Sequence, residues 1–224
     1  MAAKRRSEGR DRCRAPIVPA ALDPLELDGL VDHDGWSERE VTGSAIAADA
    51  EHISLGECRI TGVRLTGARL FKAELVDVVL TDCDLAGAVL EELSLDRVAF
   101  VGCRLSGADL GGATLRDVSF RGCQLDELGL RLARTERLAV DGGTAVQLDA
   151  YDAWLTASRW TDVDLTGADL TKARLGRARF GAGVRLVDVR GAAALTGSSI
   201  DPTLALDVGH ALLADLRIAV EDDD

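Results

Sequence analysis

The residues of this chain able to do chemistry are three histidines, five cysteines and 38 carboxylates, the last set against 26 Lys and Arg for a formal net charge of −12. Asp32-His33-Asp34-Gly35 places two carboxylates beside an imidazole, donor types that suit a metal ion. The stretch around it is acidic and turn-forming, so a solvated turn is the reading taken. His52 stands alone further on, and His210 falls in a candidate helix. No nucleophile-elbow sequence, P-loop or Cys-x-x-Cys pair occurs. The expectation is a chain with no catalytic, metal-binding or cofactor-binding residues, and not an enzyme. Five cysteines is an odd number, and Cys83, Cys103 and Cys123 recur at intervals of 20. With Cys58 they read as small buried hydrophobes in a reducing cytoplasm. Cys13, in a polar tail, is the one thiol expected to react quickly.

The elements that position these groups follow a period of five. From Leu55 to Leu130 every fifth residue is Leu, Ile or Phe, and the phase returns at Leu155, Trp160, Leu165, Leu170, Leu175 and Phe180. Five is neither the 3.6 of a helix nor the 2 of a strand, so a repeat architecture is required. The residue two before each large one is apolar and usually small, as at Ala68, Ala88, Ala108 and Cys123. Residues two apart on an extended chain point to one side. Each unit therefore turns one small and one large side chain inward, and the residue between them outward. The next two residues turn the chain, and glycine, which accepts backbone angles other residues resist, often ends the turn, as at Gly62, Gly102 and Gly122.

A second period, of 20, sets Cys83, Cys103 and Cys123 in one column and Phe100, Phe120, Trp160 and Phe180 in another. Four units per coil give an all-β, four-sided solenoid whose like side chains stack across neighbouring strands. Thr135, Ala145 and Ala150 occupy positions that elsewhere hold large residues. Over 131–152 a continuous coil with poorer packing is favoured, and a looped-out segment is the alternative.

SGADLGGATL (106–115) and TGADLTKARL (166–175) resemble the A-(D/N)-L-x-x signature of the pentapeptide-repeat family, and the resemblance extends over about 51–186. It implies a right-handed quadrilateral parallel β-helix, here with a C-terminal α-helix. The family's topoisomerase-binding, fluoroquinolone-resistance members are read as acidic mimics of duplex DNA. By that resemblance the chain is a non-catalytic, cytoplasmic bacterial protein that modulates DNA gyrase or topoisomerase IV and protects against antibiotics. It would have a protein partner, no direct nucleic-acid contact and no membrane contact. The alternative is a structural or scaffolding protein-interaction module with no topoisomerase partner.

Four segments are expected. Residues 1–16 form a basic tail without the apolar stretch of a signal peptide, expected to be disordered. Residues 17–53 form an acidic cap or irregular coil, where Trp36, Val41 and Ile46 keep the period of five one residue out of phase. Residues 54–186 form the β-helix. Residues 187–224 form a C-terminal cap with a helix near 202–216 and an acidic tail. Asp201-Pro202 reads as N-cap and first helical residue. Leu204, Val208, Leu212 and Leu216 are the helix's apolar stripe, which covers the last coil or, as the resemblance implies, pairs two copies as a homodimer.

The acidity lies mostly off the repeats. Residues 18–53 carry nine acids against Arg39 alone, whereas 54–182 carry 19 acids against 16 bases. One side of the solenoid collects Glu91, Glu92, Asp109, Asp149, Asp152 and Asp169, a stripe broken by Arg69, Lys72, Arg131 and Lys172. These six acids are the candidate partner-binding residues. A DNA surrogate needs a sustained negative field to attract a basic groove, and this stripe is the chain's nearest approach to one.

Overall fold

A computed structural model describes residues 12–219. The chain winds as a parallel β-solenoid. Ten strands stack along one side, beginning with Asp23–Leu27 and Arg39–Gly43 and ending with Arg179–Phe180 and Ser199–Ile200. Ten layers make nine turns, about 43 Å at 4.8 Å per layer. The stack is longer than the 54–186 expected, because pairing starts at Asp23 and continues to Ile200. The architecture is the quadrilateral parallel β-helix that the repeat implied. No helix among the described residues is long and apolar enough to cross a membrane.

The four sides are numbered here by their central inward residues in one coil: side 1 at Leu95, side 2 at Phe100, side 3 at Leu105 and side 4 at Leu110. Neighbouring coils pair 20 residues apart, with Leu80, Phe100, Phe120 and Val140 in register on side 2. The strands Glu74–Thr81, Ser94–Val101, Thr114–Gln124 and Arg134–Thr144 run unbroken from side 1 to side 2. Each corner holds its second turning residue in the left-handed region, whether glycine (Gly102, φ 62°) or not (Arg97, φ 54°; Leu132, φ 59°). A left-handed residue with a side chain is strained in isolation, so the stacked layers must hold it there.

The interior is a set of columns. Leu105, Leu110, Leu115, Leu125 and Leu130 are fully buried, each contributing about 1.5–3 kcal/mol of hydrophobic stabilisation. The rings of Phe100 and Phe120 stack at 4.8 Å, and those of Trp160 and Phe180 at 6.2 Å. Ser158 takes the small inward position below Trp160, where its Oγ accepts the indole N–H at 2.9 Å. The thiols of Cys83, Cys103 and Cys123 form the expected column, each near the carbonyl 23 residues earlier at 3.5–3.6 Å. Gly143 ends that column because a Cβ there would lie 2.0 Å from the Cys123 carbonyl oxygen.

The middle coil is continuous. Arg134–Thr144 pairs with the strands on both sides, and Ala145 and Ala150 are fully buried. The looped-out alternative over 131–152 is therefore set aside. At the amino end the phase expectation holds for two of three residues. Trp36 pairs with Leu55 and Val41 with Ile60, both 19 residues apart. Ser44 already bridges Arg64 at 20, so Ala45 is buried and Ile46 is 56% exposed. The lost residue is absorbed at Gly43, whose φ of 103° lets its backbone press against Leu27, where a Cβ would meet the carbonyl oxygen at 2.1 Å.

At the carboxyl end Asp201 caps Pro202–Leu204, its Oδ1 accepting from the Thr203 amide and hydroxyl at 3.0 and 2.7 Å. Helix α1 follows at Ala205–Asp215. Leu204 and Ala211 are buried, while Val208 and Leu212 pack partly buried against the core, beside the turn Ala192–Leu195. The helix thus lies over the last coil. Leu216 is exposed, with Leu206 and Ile218.

Candidate interaction surfaces

Three of the six acids in the predicted stripe, Asp109, Asp149 and Asp169, fall in one column. Asp109, Gly129, Asp149, Asp169 and Arg190 follow one another through successive bridges on side 4. Its Asp residues have local work. The Oδ1 of Asp109, Asp149 and Asp169 accepts the backbone amide two residues on, at 2.8–3.0 Å, closing the turn. Arg131 pairs with Asp149 at 2.9 Å and Arg190 with Asp169 at 3.3 Å. Burial opposes ionisation of Asp169, yet the hydroxyl and amide of Thr171, with Arg190, hold its carboxyl below the usual range. Glu91 and Glu92 stand exposed on the neighbouring corner, and Asp152 is half-buried three coils further on. Three of the six acids face out on side 4 and three sit at the corner after it, and Asp149 and Asp169 are paired with arginine.

Asp34 closes its own turn by accepting the Val31 amide, and Asp32 reaches the next coil to accept the Glu51 amide, both at 2.9 Å. Between them His33 stacks on His52 at 5.1 Å. The described residues contain no cluster of three metal-ligating side chains.

The corner between sides 1 and 2 holds a site the sequence reading missed. Its left-handed positions run Asp77, Arg97, Asp117, Arg137. Arg97 Nε and Nη2 donate to Asp77 at 2.7 and 2.6 Å, and Arg137 makes the same fork to Asp117 at 2.6 and 2.7 Å. Asp117 is 1% exposed and Asp77 7%. Residues 12–17 cover them as an extended strap. The Ile17 amide donates to Asp77 and the Arg14 amide to Asp117, both at 2.9 Å. The Cys13 thiol donates to the Arg137 carbonyl. Arg97 and the Ile17 amide hold the Asp77 carboxyl below its ordinary range, and Asp117 is held low against its burial by Arg137 and the Arg14 amide.

The strap corrects two expectations. Residues 12–16 of the tail taken as disordered lie against the rod, while 1–11 fall outside the described residues. Cys13 is not a free surface thiol: burial, reinforced by Asp117, pushes it up to about 12. Beside the strap an open groove of about 640 Å³ runs over side 2, floored by Val79, Ala99, Ser119 and Ala139. The alternation of Asp and Arg at spacing 20 was visible in the sequence and was the signal to follow. The strap itself has no period and announced nothing.

Profiles described as pentapeptide repeat region match residues 53–130 and 73–150, and one described as pentapeptide repeats (8 copies) matches 151–181. No curated protein matches the chain. Among solved structures, full-length QnrB1, a plasmid-mediated fluoroquinolone resistance protein, is 16% identical over 85% of this chain and 99% of its own, with a TM-score of 0.45. HetL, a pentapeptide repeat protein involved in heterocyst differentiation regulation from the cyanobacterium Nostoc sp. strain PCC 7120, is 23% identical over 75% of this chain and 89% of its own, with a TM-score of 0.31. Neither likeness carries a function to this chain.

Proposed function

The chain belongs to the pentapeptide-repeat family, and from that premise we propose that it is a non-catalytic rod that acts by binding a protein partner along its sides. The supporting observation is the fixed spacing of outward side chains. Rows such as Asp149 and Asp169, or Arg104 and Gln124, step one layer at a time along the stack. Such stacks present extended recognition surfaces whose geometry needs no rearrangement on binding. Fold alone does not name the partner. Co-purification from native cells, followed by reconstitution of a stoichiometric complex from purified components, tests the reading. A rod that forms no complex with any co-purifying protein would end it.

A narrower reading has one observation behind it: Glu91 and Glu92 stand exposed at the edge of the side-4 acid column. That reading is a duplex-DNA surrogate modulating DNA gyrase or topoisomerase IV. Supercoiling by gyrase should then fall at micromolar rod and low salt, and Glu91→Lys with Glu92→Lys should abolish the effect. Undiminished supercoiling with the wild-type rod would leave the scaffolding reading in place.

A further inference from the structure

Three coils beyond Glu91 and Glu92, the surface beside the same corner changes chemistry, with cations stacked on aromatic rings. The outward column of side 1 runs Arg134, Trp154, Arg174, bridged layer to layer. The two guanidiniums lie over the Trp154 ring, with Cζ at 5.4 and 4.0 Å from its centroid. Around the corner Arg131 and Lys172 hold Tyr151 in the same way, at 4.6 and 5.0 Å, and Lys172 Nζ donates to the Tyr151 hydroxyl at 2.6 Å. Trp154 is 40% exposed and neighbouring Leu132 58%. Among the described residues Arg134 and Arg174 have no carboxylate partner. In a chain that buries Trp160 and Phe120 completely, an exposed Trp between two unpaired arginines is unusual. Exposed Trp, Tyr and Arg together are the composition of interface anchors.

We propose that this cation–aromatic patch, centred on Trp154, docks an amphipathic helix of a protein partner that carries two carboxylates seven residues apart. The inference rests on the protein-binding reading above and gives it a location and a partner chemistry. Arg134 and Arg174 are two layers apart, about 9.6 Å along the rod. Seven residues of α-helix rise about 10.5 Å and return to nearly the same face. A helix along the rod would bring one carboxylate to each guanidinium fork, geometry that arginine matches in bidentate fashion. An apolar residue three or four positions after the first carboxylate would meet Trp154 between them. The rings already fix the arginine planes, so little side-chain freedom is lost on binding. Nucleic acid fits less well. Both faces of Trp154 are covered by guanidiniums, which removes the platform that stacked bases use.

The test is fluorescence anisotropy with a labelled, alanine-based helical peptide carrying Glu at two positions seven apart and Leu between them. The full-length rod at low ionic strength should bind it, and the Arg134→Ala, Arg174→Ala double variant should bind about tenfold more weakly, the weight of hot-spot truncation. A peptide with Lys at both Glu positions should not bind. Both arginines are exposed, and an unchanged melting curve confirms that the double variant is folded. Equal binding by rod and double variant, or no binding by the rod, overturns the proposal. Tighter binding of single-stranded oligothymidylate than of the Glu peptide also overturns it, in favour of nucleic acid. If the double variant retains every protein that co-purifies with the wild type, the patch fails while the binding-rod reading stands.

Discussion

Two corners of this rod share a backbone and differ in everything laid upon it. Asp77, Arg97, Asp117 and Arg137 at the first corner, and Lys72, Glu92, Leu132 and Asp152 at the fourth, occupy the same position of the repeat with φ between 51° and 64°. At the first corner the charges pair across layers and are sealed by residues 12–17. At the fourth they stand exposed or half-buried. The repeat therefore dictates conformation without dictating environment. A carboxylate at a corner is a buried structural group or a surface group according to whether a non-repeating segment crosses it.

Both corners depend on the same dry interior, so the largest effect should come from there. Leu105→Asp would place an unpaired carboxylate at a fully buried position, which is very costly. Insoluble protein is expected, and soluble, cooperatively melting protein would show that the column is not sealed. Asp117→Ala comes next. It leaves Arg137 half of a broken buried pair and should lower stability in urea by about 3–5 kcal/mol. The same change should free the strap, so that Cys13, slow to react in the wild type, becomes readily titratable. A slow Cys13 in that variant would mean the strap is held by something other than Asp117.

Acid should loosen the first corner. Asp77 and Asp117 have depressed folded values. The stability they supply is complete above the ordinary 3.8 and is lost as pH falls below it. Limited proteolysis within 12–17 should accelerate over that acid range. Strap cleavage independent of pH would contradict the linkage. The smallest effect is at the fourth corner, where Asp152→Ala should change stability by no more than about 0.5 kcal/mol. A cost near that of Asp117→Ala would erase the distinction between the corners.

What the sequence disclosed divides along the same line. The coil length, the thiol and phenyl columns and the Asp201 cap were legible because each is a local rule repeated or a known terminal signal. Ile46 was misplaced because the one-residue offset was legible but the point where the chain regains the main phase, between Val41 and Ser44, was not. The strap was missed because residues 12–17 repeat nothing. Their docking is decided by two carboxylates 60 and 103 residues away. The stripe of Asp109, Asp149 and Asp169 was found, but its role in closing turns and pairing with Arg131 and Arg190 needed geometry.

Solenoids lengthen and shorten in evolution by gaining or losing whole coils, and most of this rod is free to do so. The stretch beneath the strap is not. Three residues separate Arg14 from Ile17, and two layers separate Asp117 from Asp77, spans of about 10 Å each. An extra coil inserted between those carboxylates would carry one of them out of reach of its amide. The tail therefore acts as a gauge of coil number, and inherited changes in the length of this lineage should fall outside 77–117.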